Sequence, residues 1–155
     1  MSQTPAAAAS REGGCRCGRV RFCVTGAPLF TAACHCHGCQ RMSASAYSLS
    51  SCYLADKFAI LEGEPVIGGM HGPTRHFHCP HCLSWMFTRP EGLDHIVNIR
   101  TTLLDDPPRE RPFVETYASA ALPWALTGAS HSFAEFPPLD TYAALIAAFA
   151  ERKGV

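Results

Sequence analysis

The sequence predicts a mainly β domain closed by one C-terminal helix, and three observations carry that prediction. Short apolar segments alternate with a period of two, turn signals built on Gly and Pro separate them at short intervals, and only the last stretch repeats at helical spacing. Residues 19–24 set Arg19, Arg21 and Cys23 against Val20, Phe22 and Val24, the pattern of a half-buried strand. Residues 29–33 then run into a cysteine cluster, and residues 47–54, 58–61 and 74–78 read as further strands. Between these lie the turns Glu62-Gly63-Glu64-Pro65, Gly68-Gly69 and Gly72-Pro73. Residues 83–88 and 95–103 read as strands around Arg89-Pro90-Glu91-Gly92, residues 113–117 as another, and Asp105-Asp106-Pro107-Pro108 as a loop. The helix is expected over residues 140–152. Tyr142, Leu145, Ile146 and Phe149 share one face, Pro137-Pro138 precede it, Arg152 and Lys153 fall in its last turn, and Gly154 stops it.

At 155 residues and 47% hydrophobic content the chain has enough material for one core. It shows no internal repeat, so a flexible tail over residues 1–13 and a single domain over residues 14–155 are expected. Thirteen basic and thirteen acidic side chains balance to a net charge of +0, with no basic run of the kind that neutralises a phosphate backbone, so nucleic acid is not an expected partner. The N-terminus has no basic segment and only a run of four alanines, and no stretch approaches the ~20 apolar residues of a membrane helix. A cytoplasmic protein without a membrane partner is the expectation. The reducing cytosol favours metal binding over structural disulfides for closely spaced cysteines.

Seven of the nine cysteines fall into three clusters: Cys15-Arg16-Cys17, Cys34-His35-Cys36-His37-Gly38-Cys39 and Cys79-Pro80-His81-Cys82. Alternate residues of a strand share a side, and a Cys-x-x-Cys knuckle aims two sulfurs at one ion. The two pairs together make a complete set of four thiolates, and an ion there would tie the first strand to the middle of the chain. The triple cluster is one ligand short. A metal held by three protein ligands keeps a position for water or substrate, which is the mark of catalytic zinc. A fourth ligand from His35, His37, His78, Cys52 or Cys23 would instead close a second structural site, giving a zinc-stabilised binding module without catalysis. Metal-free dithiols acting as a redox sensor are a third reading. Cys23 and Cys52 stand alone in apolar strands and read as small core side chains.

The runs Gly14-Cys15-Arg16-Cys17-Gly18-Arg19-Val20-Arg21-Phe22, Cys34-His35-Cys36-His37-Gly38-Cys39-Gln40-Arg41-Met42-Ser43-Ala44 and Phe77-His78-Cys79-Pro80-His81-Cys82, followed by Arg89-Pro90, resemble the glutathione-dependent formaldehyde-activating enzyme family. Leu104-Asp105-Asp106-Pro107, Pro123-Trp124 and Phe133-Ala134-Glu135-Phe136-Pro137 continue the resemblance. It implies a β-tent of stacked antiparallel sheets organised around two zinc ions, one structural and one catalytic. Cys15, Cys17, Cys79 and Cys82 match the structural set, and Cys34, Cys36 and Cys39 the catalytic one. The implied activity is that of a carbon–sulfur lyase, run in reverse as S-(hydroxymethyl)glutathione synthesis from a thiol such as glutathione and formaldehyde or another small aldehyde.

The chain departs from this family at Leu83, where the family has Gly after the last cysteine and a knuckle favours positive φ. Arg41, Arg75, Arg89 and Arg100 are candidates for gripping the carboxylates of the thiol, because a guanidinium pairs a carboxylate bidentately. Trp124 is expected in the core. Neither the cosubstrate-binding residues nor the oligomeric state is fixed by the sequence.

Overall fold

The computed structural model describes residues 8–70 and 72–152. In chain order these residues form β1 (Ser10–Gly14), β2 (Arg21–Thr25), β3 (Phe30–Cys34), α1 (His37–Ser43), β4 (Ser48–Leu54), β5 (Phe58–Glu62), β6 (Val66–Gly68), β7 (Arg75–His78), β8 (Trp85–Arg89), β9 (Ile96–Arg100), β10 (Val114–Thr116), β11 (His131–Ser132) and α2 (Tyr142–Ala150). The strands make a three-stranded sheet in the order β1-β2-β5 and an eight-stranded sheet in the order β11-β10-β3-β4-β9-β8-β7-β6. The protein is mainly β, as the periodicity predicts. The sheets are not wholly antiparallel, however, because β10 runs parallel to both β3 and β11.

Period-two alternation places the core between the sheets. Phe22 and Val24 from the smaller sheet, with Val20 just before β2, meet Tyr53, Met86, Phe87, Val97 and Ile99 from the larger one, all buried. Burying one such side chain is worth about 1.5–3 kcal/mol, so this interface is a main source of stability. A satellite cluster of Phe113, Val114 and Leu145 seats α2 against β3 and β10. Four residues of the large sheet, Ile99, Val97, Tyr53 and Ser51, face inward, which leaves the alternate residues of the same strands for its other face.

Three sequence expectations are corrected. Residues 10–13, assigned to a tail, belong to β1, which pairs along β2 from Ser10↔Thr25 to Gly14↔Arg21; residues 1–7 lie outside the described region. No alternation marks Ser10-Arg11-Glu12-Gly13-Gly14, and the strand exists because β2 offers a free edge. Gly13 is required there, since a Cβ would stand 2.4 Å from the Leu103 carbonyl oxygen and 2.6 Å from the Phe22 ring. Helix α1 is the second surprise, because two turns are too few to show a helical period. Trp124 is the third, being 79% exposed rather than in the core. The C-terminal helix spans Tyr142–Ala150 after a single 3₁₀ turn at Leu139–Thr141, while Lys153 and Gly154 lie outside the described residues.

Candidate metal centre

The two cysteine pairs come together across the chain. Cys15 and Cys17 follow β1, and Cys79 and Cys82 lie on the turn from β7 to β8; their four sulfurs lie within 4.8 Å of one another. The Cys15–Cys17 and Cys17–Cys79 sulfur separations are 3.5 and 3.7 Å. A tetrahedron with zinc–sulfur bonds of ~2.3 Å has edges of about 3.8 Å, so the donors and spacing suit zinc. Surrounding donors favour thiolates: the Val20 amide donates to Cys15 Sγ at 3.3 Å, and Ser84 Oγ lies 3.2 Å from Cys82 Sγ. Ser84 leads the effects that hold Cys82 down to about 5. Leu83 has φ 58°, the left-handed backbone expected after the knuckle, and its amide donates to the Cys79 carbonyl at 3.0 Å.

The second group is local. Cys34 ends β3, Cys36 caps α1 by accepting the Cys39 amide at 3.3 Å, and Cys39 sits in the first turn. These three sulfurs also lie within 4.8 Å of one another, and no further His, Cys, Asp or Glu among the described residues joins them. As thiols they share protons unevenly. The hydrogen bond with Cys39 takes Cys34 down to about 5 against the effect of burial, with Thr116 assisting, while Cys39 is pushed upward by the same contact. Cys34 is thus primed to be a thiolate at neutral pH.

The suggested fourth ligands have other placements. His35, between two cysteines, turns to the opposite side of the chain, where it is fully buried with Nε2 2.8 Å from Glu115 Oε1. Glu115 also accepts from the Thr127 amide at 2.8 Å, Thr127 Oγ1 at 2.9 Å and Ser132 Oγ at 3.1 Å. Gln40 Nε2 donates to the His35 and Ala120 carbonyls at 2.7 and 3.0 Å. His35, Glu115 and Gln40 therefore fix the cysteine loop from behind. His37 is exposed, His78 stacks on Trp85, Cys52 is buried on β4, and Cys23 is half-buried on the smaller sheet rather than in the core.

All three cysteines open into a cavity of about 780 Å³. Alternation explains its lining: with Thr31 and Ala33 turned into the core, Phe30, Ala32 and Cys34 face the cavity, as do Ser48, Ser50 and Cys52 of β4 and Asn98 and Arg100 of β9. Phe136, Pro137, Leu139, Tyr142 and Ile146 roof it. The volume falls in the range of small-molecule sites, about 300–1,000 Å³, and the pairing of apolar walls with a few polar groups is also typical of them. A smaller cavity of about 300 Å³ lies beside Arg11, Tyr53 and Arg111 and holds no cysteine.

The family model for the glutathione-dependent formaldehyde-activating enzyme matches residues 10–120, which contain both cysteine groups. The chain belongs to the glutathione-dependent formaldehyde-activating enzyme family. The match ends before the roof, and the matched residues include both cysteine groups and Arg100. A crystal structure of a Rhodobacter sphaeroides protein is similar with a TM-score of 0.50 at 13% identity, covering 63% of this chain and 91% of that one; at this identity the likeness extends to the fold alone. Among curated proteins none matches. No helix among the described residues is long and apolar enough to cross a membrane.

Of the four arginines proposed for binding a carboxylate, Arg100 alone lines the cavity with the cysteines. Arg75 pairs with Asp94 at 3.0 Å, Arg89 lies over Phe58, and Arg41 is exposed. Sequence reasoning missed Glu115 and the roof. Glu115 carries no motif, and its value depends on β10 lying beside β3.

Proposed function

We propose that the protein is a zinc-dependent carbon–sulfur lyase of the S-(hydroxymethyl)glutathione synthase type, joining a thiol such as glutathione to formaldehyde or another small aldehyde. The observation that carries this reading is a three-cysteine group, without a fourth ligand among the described residues, opening into a small-molecule cavity. Cys34, Cys36 and Cys39 would hold the catalytic ion, and Cys15, Cys17, Cys79 and Cys82 the structural one. Bound at the three cysteines, zinc supplies a Lewis acid that stabilises a thiolate at neutral pH.

The protein's own residues then orient the reactants. Glu115, His35 and Gln40 keep the cysteine loop in one arrangement, so that a bound thiol meets the aldehyde in a fixed direction. The roof residues offer apolar contacts at the cavity mouth, which stays open to solvent. In the addition a carbon–sulfur bond forms, the carbonyl π pair moves to oxygen, and the proton lost by the thiol ends on that oxygen through solvent. The reverse sequence releases aldehyde and thiol. Because no carboxylate joins the cysteine group among the described residues, a hydrolytic role with a general base is less well supported. The cytoplasm is the proposed location, where glutathione is plentiful and the clustered thiols stay reduced.

The test is exchange spectroscopy of formaldehyde–glutathione adduct formation with wild-type and Cys36→Ser protein. Enzyme-dependent exchange that the substitution abolishes is expected. Equal exchange by both proteins would refute the assignment.

A further inference from the structure

Arg100 ends β9 on the cavity face while its neighbours Val97 and Ile99 are in the core. Its side chain is buried, 9% exposed, and its guanidinium carbon lies 4.0 Å from the centre of the Trp85 ring. One nitrogen donates to the Asn98 carbonyl at 3.2 Å, but Nε is buried with no partner. Two more buried nitrogens in the same cluster, Trp85 Nε1 and His78 Nδ1, have none either. The His78 ring stacks on Trp85 at 6.5 Å, and His76 meets its edge at 5.3 Å.

Charge sharpens the point. Among the described residues Arg100 forms no ion pair, and Glu91, a carboxylate on the cavity lining, is at its exposed rim. Burial takes Arg100 down to about 10 against the opposing influence of the nearby Cys39 and Cys34 sulfurs, and it stays cationic at neutral pH. Burial, with Arg100 adding its repulsion, keeps His76 below the usual histidine range. A buried cation with unspent donors and no carboxylate partner is costly unless a ligand completes it. A guanidinium fork seated over an indole suits a carboxylate, which takes two parallel hydrogen bonds.

We propose that Arg100, laid over Trp85 on the cavity wall, is the seat for the carboxylate of an acidic substrate, brought by the thiol or by the aldehyde. The proposal rests on the cavity being the thiol–aldehyde site, but it concerns recognition rather than turnover. Asn98 and Trp85 are positioning residues that hold the guanidinium in plane.

The test is binding to zinc-loaded protein, followed through Trp85 fluorescence in a Trp124→Phe background. Trp124 is exposed and outside the cavity lining, so its replacement leaves the site intact. Four probes are compared: 3-mercaptopropionate, the neutral 2-mercaptoethanol, glyoxylate and formaldehyde. Arg100→Met should weaken the carboxylate-bearing probe at least tenfold while leaving 2-mercaptoethanol within twofold and the zinc content unchanged. Arg100→Lys, which keeps the charge but not the fork, should fall between. If the preference is for 3-mercaptopropionate the carboxylate comes from the thiol, and if for glyoxylate, from the aldehyde. Uniform weakening of all probes, or loss of zinc in both variants, would assign Arg100 to balancing the thiolates and overturn the proposal. Protein that catalyses exchange without an Arg100-dependent carboxylate preference refutes the seat alone. Protein that binds carboxylates through Arg100 but fails to catalyse exchange refutes the activity alone.

Discussion

Replacing Cys17 by Ser tests whether the four-cysteine group is a zinc clamp that staples the two sheets. The clamp joins points 62 residues apart, Cys17 beside the small sheet and Cys79 on the β7–β8 turn. Closing a loop of that length removes roughly 14 cal/mol/K of chain entropy from the unfolded state, or about 4 kcal/mol at room temperature. In a chain of 155 residues each kcal/mol moves the melting midpoint by roughly 2–4 °C. Cys17 is exposed, so its sulfur can be exchanged for oxygen without opening a hole in the core. Thermal unfolding by circular dichroism should show Cys17→Ser melting about 10 °C below wild type in zinc. After exhaustive chelation the two proteins should melt together. Equal midpoints in zinc would show that the sulfurs carry no clamp, and a difference that survives chelation would mean that Cys17 stabilises the fold by some route other than metal.

Two further outcomes follow from individual side chains. Leu83 holds a left-handed backbone at roughly 1–2 kcal/mol and is 71% exposed. Leu83→Gly removes that strain, partly offset by a looser unfolded chain, so calorimetry should find the midpoint raised by a degree or two with zinc content unchanged, and a lower midpoint would contradict the strain argument. For Glu115, burial raises its pKa, but hydrogen bonds from Thr127, His35 and Ser132 outweigh it and leave it below the ordinary carboxylate value. Its contribution is therefore complete above that ordinary value and lost as pH falls through the folded one. Glu115→Gln should cost about 2 kcal/mol in urea unfolding at pH 7, with the gap to wild type closing toward pH 3; a gap independent of pH would show that the carboxylate's charge is not what stabilises it.

The legible parts of this chain are those where a local pattern and its structural reason coincide. Val20, Phe22 and Val24 alternate because one face of β2 is core, and all three are buried. Cysteine spacing identified both sulfur groups because a two-residue repeat or a knuckle by itself converges two side chains. The left-handed residue 83 was legible for the same reason: the knuckle demands it whatever the side chain. What stayed hidden depends on partners far along the chain. β1 has no pattern of its own and is ordered by the edge of β2, and β6, at Val66–Gly68, is too short to show a period, so that only its Gly68, with Gly69, reads as a turn. Trp124 looked like core by composition, yet it sits on a 3₁₀ turn at Pro123–Ala125 whose buried residue is Ala125. Arg100 could be named from chemistry, but only the register of β9 between β4 and β8 separates it from Arg41, Arg75 and Arg89.

The roof of the cavity lies beyond residue 120, where the family match ends. The sulfur ligands and Arg100 lie within the matched segment, whereas Phe136, Leu139, Tyr142 and Ile146 lie after it. The sulfur ligands and the apolar cover of the cavity thus come from separate stretches of one polypeptide. A chimera that exchanges only residues 136–150 would change its acceptance of large or small aldehydes while Thr127 and Ser132 stay on Glu115 and the cysteine loop keeps its support.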